Sequence, residues 1–189
     1  MIKRCGWVKT EQDAVYHDAE WGNPTRDDGV LFEFLALEGM QAGLSWATIL
    51  RKREALCRAF CGFDPQVVAR FTDADVARLK EDASIIRSER KIRAVIANAA
   101  RFLEVQQAFG SFADYLWGFV DGAPIVTHFA RSEEAPAKTD LSEALSKDLK
   151  KRGFSFVGPV ICYAYMQAVG MVNDHEEGCA FKYSQPPRA

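Results

Sequence analysis

Between Glu33 and Arg51 the chain holds one ionisable side chain, Glu38, in the run Phe34-Leu-Ala-Leu-Glu38-Gly-Met-Gln-Ala-Gly-Leu-Ser-Trp46-Ala-Thr-Ile-Leu50. A stretch this apolar belongs inside a fold, and it takes an acid with it. Burying an unpaired carboxylate is unfavourable unless it meets a cation or several hydrogen-bond donors. Two readings follow: an arginine from elsewhere neutralises Glu38, or Glu38 faces a pocket whose missing partner is a cationic, donor-rich ligand.

At 189 residues with 48% hydrophobic side chains, the chain is expected to form a single domain, residues 1–189, with an ordinary core. No apolar run approaches the roughly 20 residues of a membrane span, and the start, Met1-Ile-Lys-Arg-Cys-Gly-Trp7, lacks the apolar centre of a secretory signal. A cytoplasmic protein without membrane contact is expected. The five cysteines form no C-x-x-C pair and no disulfide-like spacing, so free thiols or metal ligands are expected. A net charge of −2 argues against a protein that coats nucleic acid, but the charge is unevenly spread. Residues 11–38 hold eight acids against Arg26, whereas Arg87, Arg90, Lys91, Arg93 and Arg101 face only Glu89, and Lys147, Lys150, Lys151 and Arg152 face only Asp148. Such runs are solvated helix faces or a basic face for a polyanion.

No segment alternates with period two, and the chain reads as all-α. Asp64-Pro65 and Thr72-Asp-Ala-Asp75 are helix starts. Ile92, Val95, Ile96, Ala99, Phe102 and Leu103 keep the 3.6-residue period of one long helix between Ser88 and Phe109. Ser111 is expected to cap a helix through Trp117, Ser142 one carrying Leu145 and Leu149, and Pro159 opens one toward Gly170. The segment from Asp121 to Asp140 is the expected long loop.

Cys5 and His17 near the start, with His175 and Cys179 near the finish, make a Cys2His2 set suited to tetrahedral zinc. His175 and Cys179, four apart, would share one side of a helical turn. The competing reading has surface histidines and core-filling thiols, as expected for Cys57, Cys61 and Cys162, with His128 facing solvent. His175-Glu-Glu-Gly-Cys179 also resembles H-E-x-x-H, which admits a zinc-dependent hydrolase working through Glu176. Catalytic zinc keeps an open position, however, and four ligands leave none; a deaminase would need the absent P-C-x-x-C. A structural site is favoured.

Lys150-Lys-Arg-Gly153-Phe-Ser-Phe-Val-Gly158-Pro joins two helices through a glycine-bracketed turn. Its backbone N–H groups and the following helix N-terminus suit a phosphate, and the lysines add attraction without reading sequence. An ordinary helix C-cap at Gly153 explains the same residues.

Five blocks then carry a specific resemblance: Arg4-Cys-Gly-Trp7, Tyr16-His-Asp-x-Glu-Trp-Gly22, Leu37-Glu-Gly-Met-Gln-Ala-Gly-Leu-Ser-Trp46, Lys150-Lys-Arg-Gly-Phe-x-Phe-Val-Gly158 and Val172-Asn-Asp-His175. From about Arg4 to Cys179 the chain resembles the DNA-3-methyladenine glycosylase I family. The resemblance implies an all-α helix-hairpin-helix DNA glycosylase fold whose ends, 1–25 and 171–189, are joined by structural zinc on Cys5, His17, His175 and Cys179. It implies excision of 3-methyladenine from alkylated double-stranded DNA in base-excision repair. A monomer is expected, though no residue pattern fixes the oligomeric state. The damaged base would lie against Glu38, Tyr16 and Trp46 with Trp21 and Trp7 nearby. The hairpin, with Lys150, Lys151, Gly153, Phe154, Ser155 and Gly158, would meet DNA. The family's Ala-Gly-Ile-Ile-Arg stands here as Ala83-Ser84-Ile-Ile-Arg87, which puts the local turn in question.

The chemistry fits the isolated acid. N3 methylation makes adenine cationic and weakens its glycosidic bond, so Glu38, as the essential acid, has only to hold the base while aromatic faces contribute cation-π attraction of roughly 0.5 to 2 kcal/mol. The nucleotide must leave the stack, and Leu44 is either a wedge filling the gap or a core leucine. Asp174, after the hairpin, is the nearest candidate for activating water, but its place beside His175 favours a role in orienting that ligand. No lysine lies between Gly158 and His175 to form a Schiff base, so a monofunctional enzyme is expected, releasing free base and leaving an abasic site. The rivals are the zinc-dependent hydrolase and a non-enzymatic DNA-binding module.

Overall fold

In the computed structural model, which describes residues 2–183, the chain forms α1 (Glu11–Ala19), α2 (Asp28–Gln41), α3 (Trp46–Ala59), α4 (Pro65–Val68), α5 (Asp73–Glu81), α6 (Glu89–Phe109), α7 (Phe112–Trp117), α8 (Asp140–Lys151) and α9 (Pro159–Ala168). Met1 and residues 184–189, part of the expected 1–189 domain, lie outside the described residues.

The helix α2 is the axis. Leu31, Phe32 and every residue from Phe34 to Met40 are buried, and a helix apolar around its circumference has to be enclosed. α3, α6, α7 and α9 do this. Asp27 caps α2, accepting from Val30 N (2.9 Å), while Asp28 accepts from Phe112 N (2.9 Å) and Ala113 N (2.8 Å), so one acidic pair starts α2 and α7 together.

The expected starts at Asp64-Pro65, Thr72 and Ser111 are present. Ser142 is not a cap: Thr139 is, and Ser142 sits inside α8, where its Oγ accepts from Thr139 N (2.9 Å) and closes a capping box. In the Ala83-Ser84 turn, Ser84 N donates to Asp82 Oδ1 (2.9 Å), a local bond that makes the turn without glycine. Cys61 is no core filler. It lies past the end of α3 with φ 52° and is exposed.

The chain is mostly helical, as expected, with one short strand pair that the sequence did not signal. β1 (Ile125–Val126) pairs in parallel with β2 (Val172–Asn173), through Ile125 N to Met171 O (2.9 Å) and Thr127 N to Asn173 O (3.2 Å). Two residues per strand leave no period to read, yet they pin the long loop to the C-terminal segment.

Candidate active site

Glu38 lies on the last full turn of α2, 4% exposed. It makes no hydrogen bond or ion pair among the described residues. The arginine reading is overturned: Arg53, the α3 arginine that reaches α2, is held by Glu20 (2.7 Å) and Glu33 (2.7 Å) and lies over the Phe34 ring. Glu38 instead opens on a cavity of about 400 Å³ lined by Trp7, Tyr16, Trp21, Gln41 and Trp46, a size suited to a small ligand. Burial alone pushes the Glu38 carboxyl up to about 8.

The aromatic wall is built from three segments. Trp46 opens α3 because Ser45 caps that helix, accepting from Thr48 N (3.3 Å). Tyr16 projects from α1 to within 5.3 Å of Trp46, ring centre to ring centre, and Trp7 and Trp21 meet edge-on at 5.1 Å. The indole N–H groups of Trp7 and Trp46 are buried without a protein acceptor among the described residues. The cavity thus joins an unpaired acid and unpaired donors to ring surfaces.

Behind this wall the ends of the chain meet. Cys5 Sγ, a ring nitrogen of His17 and Cys179 Sγ all lie within 4.8 Å of one another and are buried. His175 is outside that set of three, its ring centre 4.9 Å from that of His17. Its second nitrogen is nonetheless prepared. His175 Nδ1 donates to Asn173 Oδ1 (2.9 Å), which fixes the proton there and leaves the Nε2 lone pair buried and without a partner among the described residues. His17 is oriented likewise, Nδ1 to Asp18 Oδ1 at 2.8 Å, with Nε2 3.5 Å from Cys179 Sγ. Two thiols and two correctly held imidazoles fit a zinc ion.

Three expectations change here. Residues 175–179 form a turn rather than a helix. Asp174 does not orient His175; its carboxylate accepts from Tyr163 Oη (2.5 Å), Gln167 Nε2 (2.7 Å) and Thr127 Oγ1 (2.8 Å), and it lines the cavity. Glu176 is a poor catalytic base, since one of its oxygens accepts from Gly6 N (2.7 Å), Ser132 N (2.9 Å) and Ser132 Oγ (2.5 Å). His128, though exposed, pairs with Glu177 at 2.7 Å.

On another face, α8 ends and α9 begins around a tight hairpin. Gly153 takes φ +91°, with its N–H on Lys150 O (3.0 Å) and Phe154 N–H on Leu149 O (3.0 Å), the Schellman closure that needs a left-handed residue. The C-cap reading is therefore correct, and it also shapes the loop. Phe154 is 4% exposed and packs near Phe112, so it anchors the hairpin and offers no side chain outward. The Ser155 side chain is exposed, but its N–H goes to Asn98 Oδ1 (2.8 Å). The N–H groups of Phe156, Val157 and Gly158 make no hydrogen bond among the described residues, and Lys150 and Lys151 are exposed there without ion pairs. Leu44 is 38% exposed at a separate loop tip, not a core leucine.

The sequence profile of the methyladenine glycosylase family matches residues 7–183. The chain belongs to the methyladenine glycosylase family. It is 51% identical to DNA-3-methyladenine glycosylase 1 of Escherichia coli (strain K12), over 94% of this chain and 96% of that one. It superposes on the crystal structure of a 3-methyladenine DNA glycosylase I with a TM-score of 0.92 at 49% identity, covering 97% of this chain and all of the other (100%). A variant of 3-methyladenine DNA glycosylase I in complex with 3-methyladenine also superposes, with a TM-score of 0.91 at 37% identity and coverage of 95% and 96%. Within this methyladenine glycosylase, Gln41, Ser132 and Gln167 line the cavity without having been expected. Gln41 follows Glu38 by three on one helix face and was legible from that spacing; Ser132 and Gln167 arrive from distant segments with no local signal.

Proposed function

We propose that the protein is a monofunctional DNA-3-methyladenine glycosylase acting in base-excision repair, with Glu38 as the residue that recognises the base. The observation that carries this reading is the buried, unpaired Glu38 carboxylate beside an aromatic cavity. Everything about that site disfavours an anion until a cation enters. A 3-methyladenine that has left the stack supplies the positive charge and an exocyclic amine for Glu38, while Tyr16 and Trp46, with Trp21 and Trp7 near, supply ring faces and donors.

In the reaction, water oxygen bonds to C1′ as the glycosidic bond breaks. That bond's electron pair stays with the base, which leaves neutral, and a proton from the water passes to solvent. Because the leaving group starts as a cation, no strong acid is required. Uncharged purines gain nothing from Glu38, so selection rests on charge and shape. The Phe156 to Gly158 amides, Lys150 and Lys151 face a backbone phosphate, and exposed Leu44 fills the vacated stack. The product is an abasic site, since no lysine stands between Gly158 and His175 to attack the sugar.

Zinc, held by Cys5, His17, His175 and Cys179, would supply a cross-link between the two ends and thereby fix Trp7 and Tyr16. Two ordered imidazole tautomers and a buried unpartnered Nε2 support this. The reading includes a monomer in the cytoplasm; among the described residues no helix is long and apolar enough to cross a membrane. The test is incubation with methylated duplex DNA, without added metal or nucleotide. Free 3-methyladenine is expected. Well-folded protein that releases none contradicts the assignment.

A further inference from the structure

Lys91, in the first turn of α6, makes no ion pair among the described residues. Its Nζ donates instead to Met40 O (2.8 Å) and Ala42 O (2.7 Å), two carbonyls at the end of α2. Helix C-terminal carbonyls lack intrahelical donors and draw cations. The loop beyond them is closed by Gln41, whose backbone O accepts from Leu44 N (2.6 Å) and whose Nε2 donates to Leu44 O (2.5 Å), with Gly43 at φ +76° in open space. Two residues after Leu44 comes Trp46 of the cavity wall. Among the described residues, no other side chain from outside α2 and this loop hydrogen-bonds residues 40–44.

Asn98 lies seven positions further along α6, nearly two turns and so on the same side, about 10 Å along the axis. It grips the hairpin from both directions: Asn98 Nδ2 donates to Ser155 O (2.9 Å) and Ser155 N donates to Asn98 Oδ1 (2.8 Å). The two loops offered to DNA are thus fastened to one rigid helix through two polar side chains.

We propose that α6 is the spacer that holds the Leu44 loop and the phosphate hairpin at a fixed separation, with Lys91 and Asn98 as positioning residues for base extrusion. Neither touches the base. They act by delivering Leu44 to the strand at the distance at which the hairpin grips its backbone, so their contribution is largest on duplex DNA. This inference rests on the glycosylase reading and on Leu44 entering the stack.

The test compares Lys91→Met, Lys91→Arg and Asn98→Leu with the parent in three assays: single-turnover release of 3-methyladenine from duplex, release from single-stranded DNA, and binding of free 3-methyladenine. A misplacement of about 1 Å is enough for a large rate loss, so Lys91→Met is expected to slow duplex excision about tenfold or more. Its free-base affinity should stay within about twofold, and its deficit on single strands should be smaller, because no stack has to be opened. Lys91→Arg, which keeps the donors, should recover most of the duplex rate. Asn98→Leu should repeat the Lys91→Met pattern. Equal losses in all three assays would show a merely structural role, and an unchanged duplex rate would remove the role altogether; either overturns the proposal. A parent protein that excises nothing would instead defeat the glycosylase reading, a result visible before any variant is compared.

Discussion

Two buried glutamates in this molecule have opposite surroundings. Glu176, 8% exposed, would be pushed up by burial, but the Ser132 and Gly6 donors more than compensate and hold its carboxyl below the ordinary value. Glu38, 4% exposed, has burial and nothing to offset it, and its carboxyl rises to about 8. The first glutamate closes the junction of the chain ends; the second faces empty space. A buried polar group completed by the protein serves the fold, whereas one left incomplete marks where another molecule completes it.

The contrast is open to attack at several points. The largest effect is expected at the junction itself, through the zinc on which it is proposed to rest. Chelation should lower the unfolding temperature by at least about 10 °C, since structural zinc binding is folding free energy, and residual glycosylase activity should follow the folded fraction. A chelated protein that stays fully folded but inactive would assign the metal to chemistry instead. Glu38→Gln comes next. Loss of one charge-assisted bond is worth about 2 kcal/mol, roughly thirtyfold in affinity for free 3-methyladenine, as read by calorimetry. Unchanged affinity would mean that the acid does not meet the base.

The same variant should be more stable than the parent at alkaline pH. Glu38 titrates near its ordinary value of 4.5 when unfolded and near 8 when folded, so the folded state holds the proton more tightly. Stability is undiminished below about pH 4.5, declines as pH rises, and levels off above about pH 8. Unfolding free energies of parent and Glu38→Gln from denaturant titration should therefore coincide at pH 4 and diverge by up to about a few kcal/mol at pH 9. Parallel curves would place a partner on Glu38. The smallest effect is expected of Glu176→Ala, which strands the Gly6 and Ser132 donors and costs about 1 to 3 kcal/mol, with excision per folded molecule unchanged.

Glu38 was legible in the sequence because it is the one ionisable residue of an apolar run; the aromatic wall was reached only through the family resemblance, and the zinc-binding candidates through their residue types at the two ends. Helix starts were legible for a related reason, since Asp64-Pro65 and Thr72-Asp75 are complete within four residues. Ser142 misled because Thr139, three residues earlier, makes the same kind of bond and begins the helix sooner. The β1–β2 pair, the Thr127 bond to Asp174 and the Asn98 grip on Ser155 join segments 46 or more residues apart, and no local pattern encodes such partners. Phe154 was assigned to DNA from a motif that does not distinguish an anchoring ring from a touching one; burial does.

Contact between the ends also sets an order of assembly. Ala180 N bonds Lys3 O at 2.9 Å and Glu176 receives Gly6 N, so residues 3–6 find their partners about 170 positions later in the chain. A nascent chain can pack α2 against α3 and α6, and Trp7 against Trp21, but the backbone of Lys3 and Gly6 has no partner until residues 176–180 emerge. Synthesis therefore finishes the scaffold before the receptor for damaged base, and a truncated or stalled chain lacks the tool it was folding to hold.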